Sequence, residues 1–222
     1  MAEVDRVASE ELAIPLEVLM ENASHQIAGA ARVFLGGVTG KRIVALVGGG
    51  NNGGDAMGAL RHLSGWGAEV RAVLSGPAER LRPLARRQHD ILEKLGVRSE
   101  TAAALDADLI IDGLLGYSAS GPPRDGVADL IRAANASRVP ILAVDLPSGL
   151  HPDTGEPLGV TIRAALTVTL ALPKRGLLAT RSRGLVGELL LANIGIPPQA
   201  FDRLAIETRG LFESGDLVRI IR

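Results

Sequence analysis

The stretch that most limits what this chain can fold into spans residues 42–63, RIVALVGGGNNGGDAMGALRHL. A short apolar run (Ile43, Val44, Ala45, Leu46, Val47) meets five glycines in seven positions. After Asp55 comes a segment with apolar Met57, Leu60 and Leu63 at helical spacing. Strand, glycine-rich turn and helix in that order open a βαβ unit. Glycine serves where the backbone must take φ > 0 or approach a ligand closely. The adjacent amides Asn51 and Asn52 are the odd feature. Asn tolerates left-handed turns, and its carbonyl oxygen also suits a hard cation or a sugar hydroxyl.

Two phosphate-loop readings can be tested on this stretch. A Walker A loop needs Lys-Ser/Thr after its last glycine, and Asp55 stands there instead, so that reading fails. The pattern G-x-G-x-x-G does occur, as Gly48, Gly50 and Gly53, directly after the strand. The dinucleotide fingerprint also wants an acid at the end of the second strand to hold the ribose hydroxyls. That strand, residues 70–74, ends in Ser75-Gly76, and Glu69 lies at its beginning. Asp55, near the helix N-terminus, competes for N–H groups that a pyrophosphate would use. The turn is nucleotide-like without the usual redox-cofactor details.

A chain of 222 residues fits one large α/β domain, or two small ones at a stretch. Its hydrophobic content of 46% implies a sizeable core, and 2% aromatics make that core aliphatic. A formal charge of −1, from 24 basic and 25 acidic residues, gives no electrostatic case for nucleic acid or an anionic membrane. The absence of cysteine excludes disulfides, thiolate metal sites and Cys nucleophiles, and fits a reducing cytoplasm. The charged N-terminus (MAEVDRVASEEL) has no signal-peptide pattern. No apolar run approaches the roughly 20 residues needed to cross a bilayer, so a cytoplasmic location is expected.

Along the chain, residues 3–36 read as helix. Within them Leu16, Leu19, Met20, Ala23, Ile27, Ala30, Ala31 and Phe34 recur at three- and four-residue steps, with Pro15 in a first turn. Residues 78–95 read as a helix whose arginines (Arg80, Arg82, Arg86, Arg87) form a solvated face. Strands are expected at 108–112, 139–144, 165–172 and 187–194, a helix at 129–135, and a tail without assigned structure from 205. Strands alternating with helices, with no break in composition, predict one doubly wound, mostly parallel sheet: an α/β, Rossmann-like three-layer αβα sandwich.

Four polar clusters follow predicted strands: the NNGGD turn, Asp112 with its glycine loop, Asp145 with Pro147-Ser148-Gly149, and Lys174. In open α/β sheets the ligand crevice lies outside the carboxyl ends of the strands, so all four reach one edge. Rival chemistries fit less well. Residues 116–120 (GYSAS) nearly make a nucleophile elbow, but the final Gly is Ser. His25, His62, His89 and His151 are dispersed without metal-ligand spacing. His25 and His62 read as structural, and His151 alone lies near the predicted edge.

With these residues assembled, the chain resembles the NAD(P)H-hydrate epimerase family, the domain also called YjeF N-terminal. The resemblance rests on LMENAS at 19–24, VGGGNNGGDAMGALRHL at 47–63, IDGLLGYSASG at 111–121, AVDLPSGLHPDTGE at 143–156 and TVTLALPKRGL at 167–177. Ala56 and Ser24 stand where the family usually has Gly, and the 116–122 loop departs from its usual Gly-Thr-Gly start.

The resemblance implies interconversion of the R and S forms of hydrated NADH and NADPH (NADHX, NADPHX) at nicotinamide C6. It implies one K+ per subunit on Asn52, Asp112 and Ser148. It implies substrate binding by Asn51, Asn52, Gly53, Gly54, Asp55, Gly116, Tyr117, Ser118, Ala119, Ser120, Gly121, Pro122 and Asp145. It also implies a homodimer, for which the 16–34 helix is the candidate face. The 222 residues read as a single such domain, without the ADP- or ATP-dependent dehydratase domain of many bacterial members, so a separate dehydratase is the expected pathway partner.

The chemistry of the residues agrees. One carboxylate, one amide oxygen and one hydroxyl suit a monovalent ion better than Mg²⁺ or Ca²⁺, which recruit more carboxylates or phosphates. Inversion at a carbon bearing both hydroxyl and ring nitrogen proceeds by loss of water to an iminium-like cation and its return on the other face. Such a site needs an acid/base group and negative charge near the cation. Asp145 is the candidate; Lys174 either binds phosphate or helps place a proton. The competing functions are a non-catalytic nucleotide-binding or dimerisation module on the same fold, which loss of the NNGGD or DLPSG acids would favour, and an ordinary NAD(P) dehydrogenase, opposed by the missing ribose-binding acid.

Overall fold

Five consecutive aliphatic residues, all buried, give β1 (Arg42–Val47) cover on both faces, as a central parallel strand requires. The computed structural model describes residues 2–101 and 105–221. Within them β1 is followed by β2 (Glu69–Leu74), β3 (Arg98–Glu100), β4 (Leu109–Gly113), β5 (Ile141–Val144), β6 (Leu166–Leu170), β7 (Glu188–Ala192) and β8 (Leu217–Ile220). The helices that matter to the site are α1 (Ala2–Arg6), α2 (Leu16–Phe34), α3 (Asn51–Gly65), α4 (Pro83–Lys94) and α5 (Asp125–Ser137).

The strands form one sheet in the order β3-β2-β1-β4-β5-β6-β7-β8. All neighbours are parallel except β7 and β8. The chain winds outward from β1 through β2 to β3, then returns to the other side of β1 as β4, so the winding reverses between β1 and β4. Ile43, Ala45 and Val47 point into the larger core shared with α2 and α3. Val44 and Leu46 point to the opposite face, where Ile131 of α5 covers them. That alternation on a strand buried twice over is the expected αβα sandwich. No helix among the described residues is long and apolar enough to cross a membrane.

Several boundaries differ from the sequence reading, each for a local reason. The expected helix over 3–36 is two pieces. A π-helical turn at Val7–Glu11 follows α1, Ala13 takes φ +54°, and Pro15 caps α2. Proline cannot donate the N–H that an uninterrupted helix needs there. The expected 78–95 helix breaks likewise: Pro83 forces Arg82 into extended backbone (ψ 159°), leaving a separate 3₁₀ turn at Ala78–Arg80. Helix α5 is longer than expected, and β5, β6 and β7 are shorter. Strand β3 and the antiparallel β8, in the tail left unassigned, escape the sequence reading because edge strands lack a doubly buried apolar run.

The glycine-rich turn holds a larger correction. Helix α3 begins at Asn51 rather than after Asp55, so NNGGD forms its opening turns. None of the five glycines takes a positive φ. Their role is backbone contact: a Cβ on Gly48 would lie 1.8 Å from the Leu114 carbonyl oxygen, and one on Gly53 would lie 2.1 Å from that of Gly48.

Candidate functional site

The reversal between β1 and β4 opens the crevice that such sheets use for ligands. The carboxyl ends of β1, β5 and β6 deliver to it Asn52, Asp145 and Lys174, respectively, and that of β4 sets Asp112 just behind its wall. The four clusters expected at one edge do meet there, through hydrogen bonds.

Asp112 closes β4 with no exposure to solvent. Its Oδ2 accepts from the Ser148 N–H (2.8 Å), and its Oδ1 accepts from the Ser148 hydroxyl (2.7 Å) and the Leu114 N–H (3.2 Å). Burial raises the carboxyl to about 6, against the lowering effect of these donors. Among the described residues no Lys, Arg or His pairs with it. Asn52 joins the group through the main chain: its amide donates to the carbonyls of Leu115 (2.9 Å) and Val144 (3.0 Å), and the Leu115 N–H donates to the Ser148 hydroxyl (2.9 Å). Its NH₂ is used twice, and its Oδ1 accepts from none of the described residues. The result is an oxygen-rich pocket holding one buried carboxylate with no cationic side chain against it. That donor set fits a weakly bound hard cation.

Asp145 and Lys174 form a buried ion pair beside this pocket. Asp145 takes φ +66°, and Ala171, after the next strand, takes φ +61°. Left-handed backbone at two non-glycine residues is strain of the kind retained at functional sites. Asp145 Oδ1 also accepts from the Leu170 N–H (3.2 Å) and the Thr169 hydroxyl (3.4 Å). Its Oδ2 accepts from none of the described residues. The Lys174 ammonium donates to the Leu170 carbonyl (3.1 Å) and lies 5.9 Å from the Tyr117 ring centre. Lys174 is thus committed to Asp145, which fits proton placement better than phosphate binding.

Two further acids crowd the pair. Asp55 is buried, and its carboxyl is pushed well above the ordinary range by burial first, then by Asp145 and Asp5. Asp5, from α1, accepts the Tyr117 hydroxyl at 2.7 Å. Burial raises the Asp5 carboxyl, while Tyr117 and Lys174 act against that shift. Desolvation and Asp5 together push the Tyr117 phenol upward. The cluster thus sets three carboxyls around one cationic side chain.

These groups line a cleft of about 450 Å³. Of the residues expected to hold substrate, Asn51, Asn52, Asp55, Gly116, Tyr117, Ser118, Ala119 and Asp145 line it. Gly53 and Gly54 are packed beneath it, while Ser120, Gly121 and Pro122 lie outside its lining. Asp112 and Ser148 sit behind the wall. His151 is not part of the cleft; its Nδ1 accepts from the N–H groups of Asp153 and Thr154. His25 and His62 pack edge-on at 5.1 Å beside Trp66, a structural cluster as expected. The three-residue acid and histidine group His89, Asp90 and Glu93 lies on α4, also outside the cleft.

The sequence reading missed Asp5, Met20, Arg80, Arg82 and Leu84, all of which line the cleft. Asp5 carries no local signal, being 112 residues from Tyr117. Arg80 and Arg82 had one: they follow the second strand, where nucleotide-binding sheets read the ribose.

Known proteins resemble this chain in sequence and in fold. The model of a family described as YjeF-related protein N-terminus matches residues 16–176. A protein named NAD(P)H-hydrate epimerase from Dehalogenimonas lykanthroporepellens is 38% identical over 99% of this chain and 90% of its own. A bifunctional NAD(P)H-hydrate repair enzyme from Moorella thermoacetica is 40% identical over 89% of this chain. The match spans only 39% of that longer relative. Among solved structures, yeast ynu0 superposes with a TM-score of 0.82, covering 99% of this chain and 96% of its own at 24% identity, a likeness of fold.

Proposed function

The chain belongs to the YjeF-related protein N-terminus family, and on that premise we propose that it epimerises hydrated NADH and NADPH at nicotinamide C6, a metabolite-repair isomerase. The observation that carries this reading is the Asp145–Lys174 pair, with Asp145 Oδ2 unbonded at the wall of a cleft on the switch point of the sheet. The relatives named as epimerases or repair enzymes supply the substrate class.

The reaction needs a proton on the C6 hydroxyl, cleavage of the C6–O bond to give water and a ring iminium cation, and return of water to the opposite face with loss of a proton. A buried carboxylate opposite that cation stabilises it, because the surrounding low dielectric strengthens the attraction. Asp145 holds this position, and its pair with Lys174 gives the proton to the departing hydroxyl and takes one from the returning water. Asp55, held toward its neutral form, is a second proton store at the same wall. Asn51 and the 116–119 loop enclose the hydrated ring.

Asn52, Asp112 and Ser148 would hold one K+, supported by the buried Asp112 carboxylate and the Asn52 Oδ1, neither of which meets a cationic side chain among the described residues. The ion would supply positive charge that keeps Asp112 ionised and orders the 114–116 main chain. A symmetric homodimer, a cytoplasmic location and an ADP- or ATP-dependent dehydratase as pathway partner belong to the same reading. A scaffold on this fold would not need the Asp145–Lys174 pair, which is why the enzymatic reading is preferred.

The test is equilibration of purified R and S hydrates, followed by chromatography. Wild-type protein is expected to accelerate it. Asp145→Asn tolerates the same left-handed backbone, and is expected to fold, bind dinucleotide and lose at least about a hundredfold in rate at saturating hydrate. A background rate with wild type overturns the function; near-wild-type turnover by the variant removes Asp145 from catalysis.

A further inference from the structure

The cleft is electrically polar. Its buried end holds Asp5, Asp55 and Asp145 around Lys174, an arrangement that suits a developing cation and repels phosphate. Its exposed rim holds Arg80 and Arg82. Of the four arginines in this region, Arg86 donates to the Ala78 carbonyl and Arg87 faces Glu17 at 3.7 Å. The side chains of Arg80 and Arg82 meet no carboxylate or carbonyl among the described residues. Two guanidinium groups without such a partner among the described residues are available to an anion.

Their main chain is fixed beside the glycine turn. The Arg82 N–H donates to the Gly49 carbonyl (2.9 Å), and a Cβ on Gly49 would lie 3.2 Å from the Arg80 carbonyl oxygen. Arg82 is also the N-cap of α4, which has no side-chain cap and begins with Pro83. The positive end of that twelve-residue helix therefore adds to the two side chains. In sheets of this winding, the segment after the second strand faces the 2′ position of the adenosine ribose. An acid there selects the free hydroxyl, and an arginine accommodates a 2′-phosphate. Here β2 ends in Leu74-Ser75-Gly76, and the acid that follows, Glu79, is not among the residues lining the cleft, whereas Arg80 and Arg82 are.

We infer that Arg80 and Arg82 form a subsite for the 2′-phosphate of the dinucleotide, so that the phosphorylated hydrate, NADPHX, is preferred over NADHX. The inference rests on the epimerase reading for the identity of the substrate. With the adenosine end over β2 and α3, the nicotinamide end reaches the β4–β6 ends where the acids lie, which matches the polarity of the cleft. A phosphate monoester takes bidentate hydrogen bonds from guanidinium, and both side chains are exposed, so removing them leaves the core untouched.

The double variant Arg80→Ala/Arg82→Ala tests this in two arms. In the first, kcat/KM is measured for both hydrates. The ratio of NADPHX to NADHX is expected to exceed one in wild type and to fall by at least about tenfold in the variant, since charge-assisted hydrogen bonds are lost for one substrate only. An unchanged ratio, including an equal loss on both substrates that would assign the arginines to the diphosphate, overturns the inference. In the second, calorimetry compares 2′-phospho-ADP-ribose with ADP-ribose. Wild-type preference for the phosphorylated fragment, abolished in the variant, supports the subsite even if neither hydrate is turned over, in which case the epimerase reading alone fails. Wild type with no preference between the fragments overturns the subsite.

Discussion

Asp55 shows what the site costs the fold. Its carboxyl is buried against two other acids and shifted upward, with burial as the largest cause. An unfolded carboxyl of this type titrates near about 3.9, so between that value and the raised folded value the folded chain binds the extra proton. Stability therefore falls as pH rises through this window and stays lower above it. Asp55→Asn cannot ionise and escapes the loss. The variant is expected to melt above wild type at a pH of about 8, with the advantage vanishing near a pH of about 4. Melting curves across that range check it; a variant that melts lower at high pH contradicts the argument. A group that lowers stability in this way fits the role of proton store proposed for it.

The turn between β1 and α3 shows the same economy of space. Gly48 and Gly50 look equivalent in the sequence, yet the structure separates them. A Cβ at Gly48 would run into the Leu114 carbonyl at 1.8 Å, whereas one at Gly50 meets nothing within 4 Å. Overpacking against rigid backbone costs about 1–3 kcal/mol and sometimes more. Gly48→Ala is expected to lose at least about 2 kcal/mol by denaturant unfolding. Gly50→Ala, at a helix N-cap with negative φ, is expected to lose about 1 kcal/mol or less. Equal midpoints for the two variants would refute this. Because Leu114 leads into the site loop, the glycine pattern fixes how closely the β4 end approaches the opening turn of α3.

At the scale of the molecule, the apolar stripe of α2 is mostly spent inside the chain. Leu19, Met20, Ala23, Ile27, Ala30 and Ala31 are buried, while Leu16, Val18, Val33 and Phe34 are left exposed, Val33 at 77%. If the protein assembles as the proposed symmetric dimer, light scattering at micromolar concentration should give twice the subunit mass of 23.1 kDa; a single-subunit mass contradicts it. Strand and helix character away from the sheet edges, the buried central strand and the polar residues placed after β1, β4, β5 and β6 were legible in the sequence, because they depend on periodicity and on neighbours a few positions away. The strand order, the reversal between β1 and β4, the Asp145–Lys174 pair, the arrival of Asp5 at Tyr117 and the pairing of the edge strands β3 and β8 were decided only by tertiary structure. Each depends on residues far apart in the chain meeting as loops and helices pack, and no local period records that meeting.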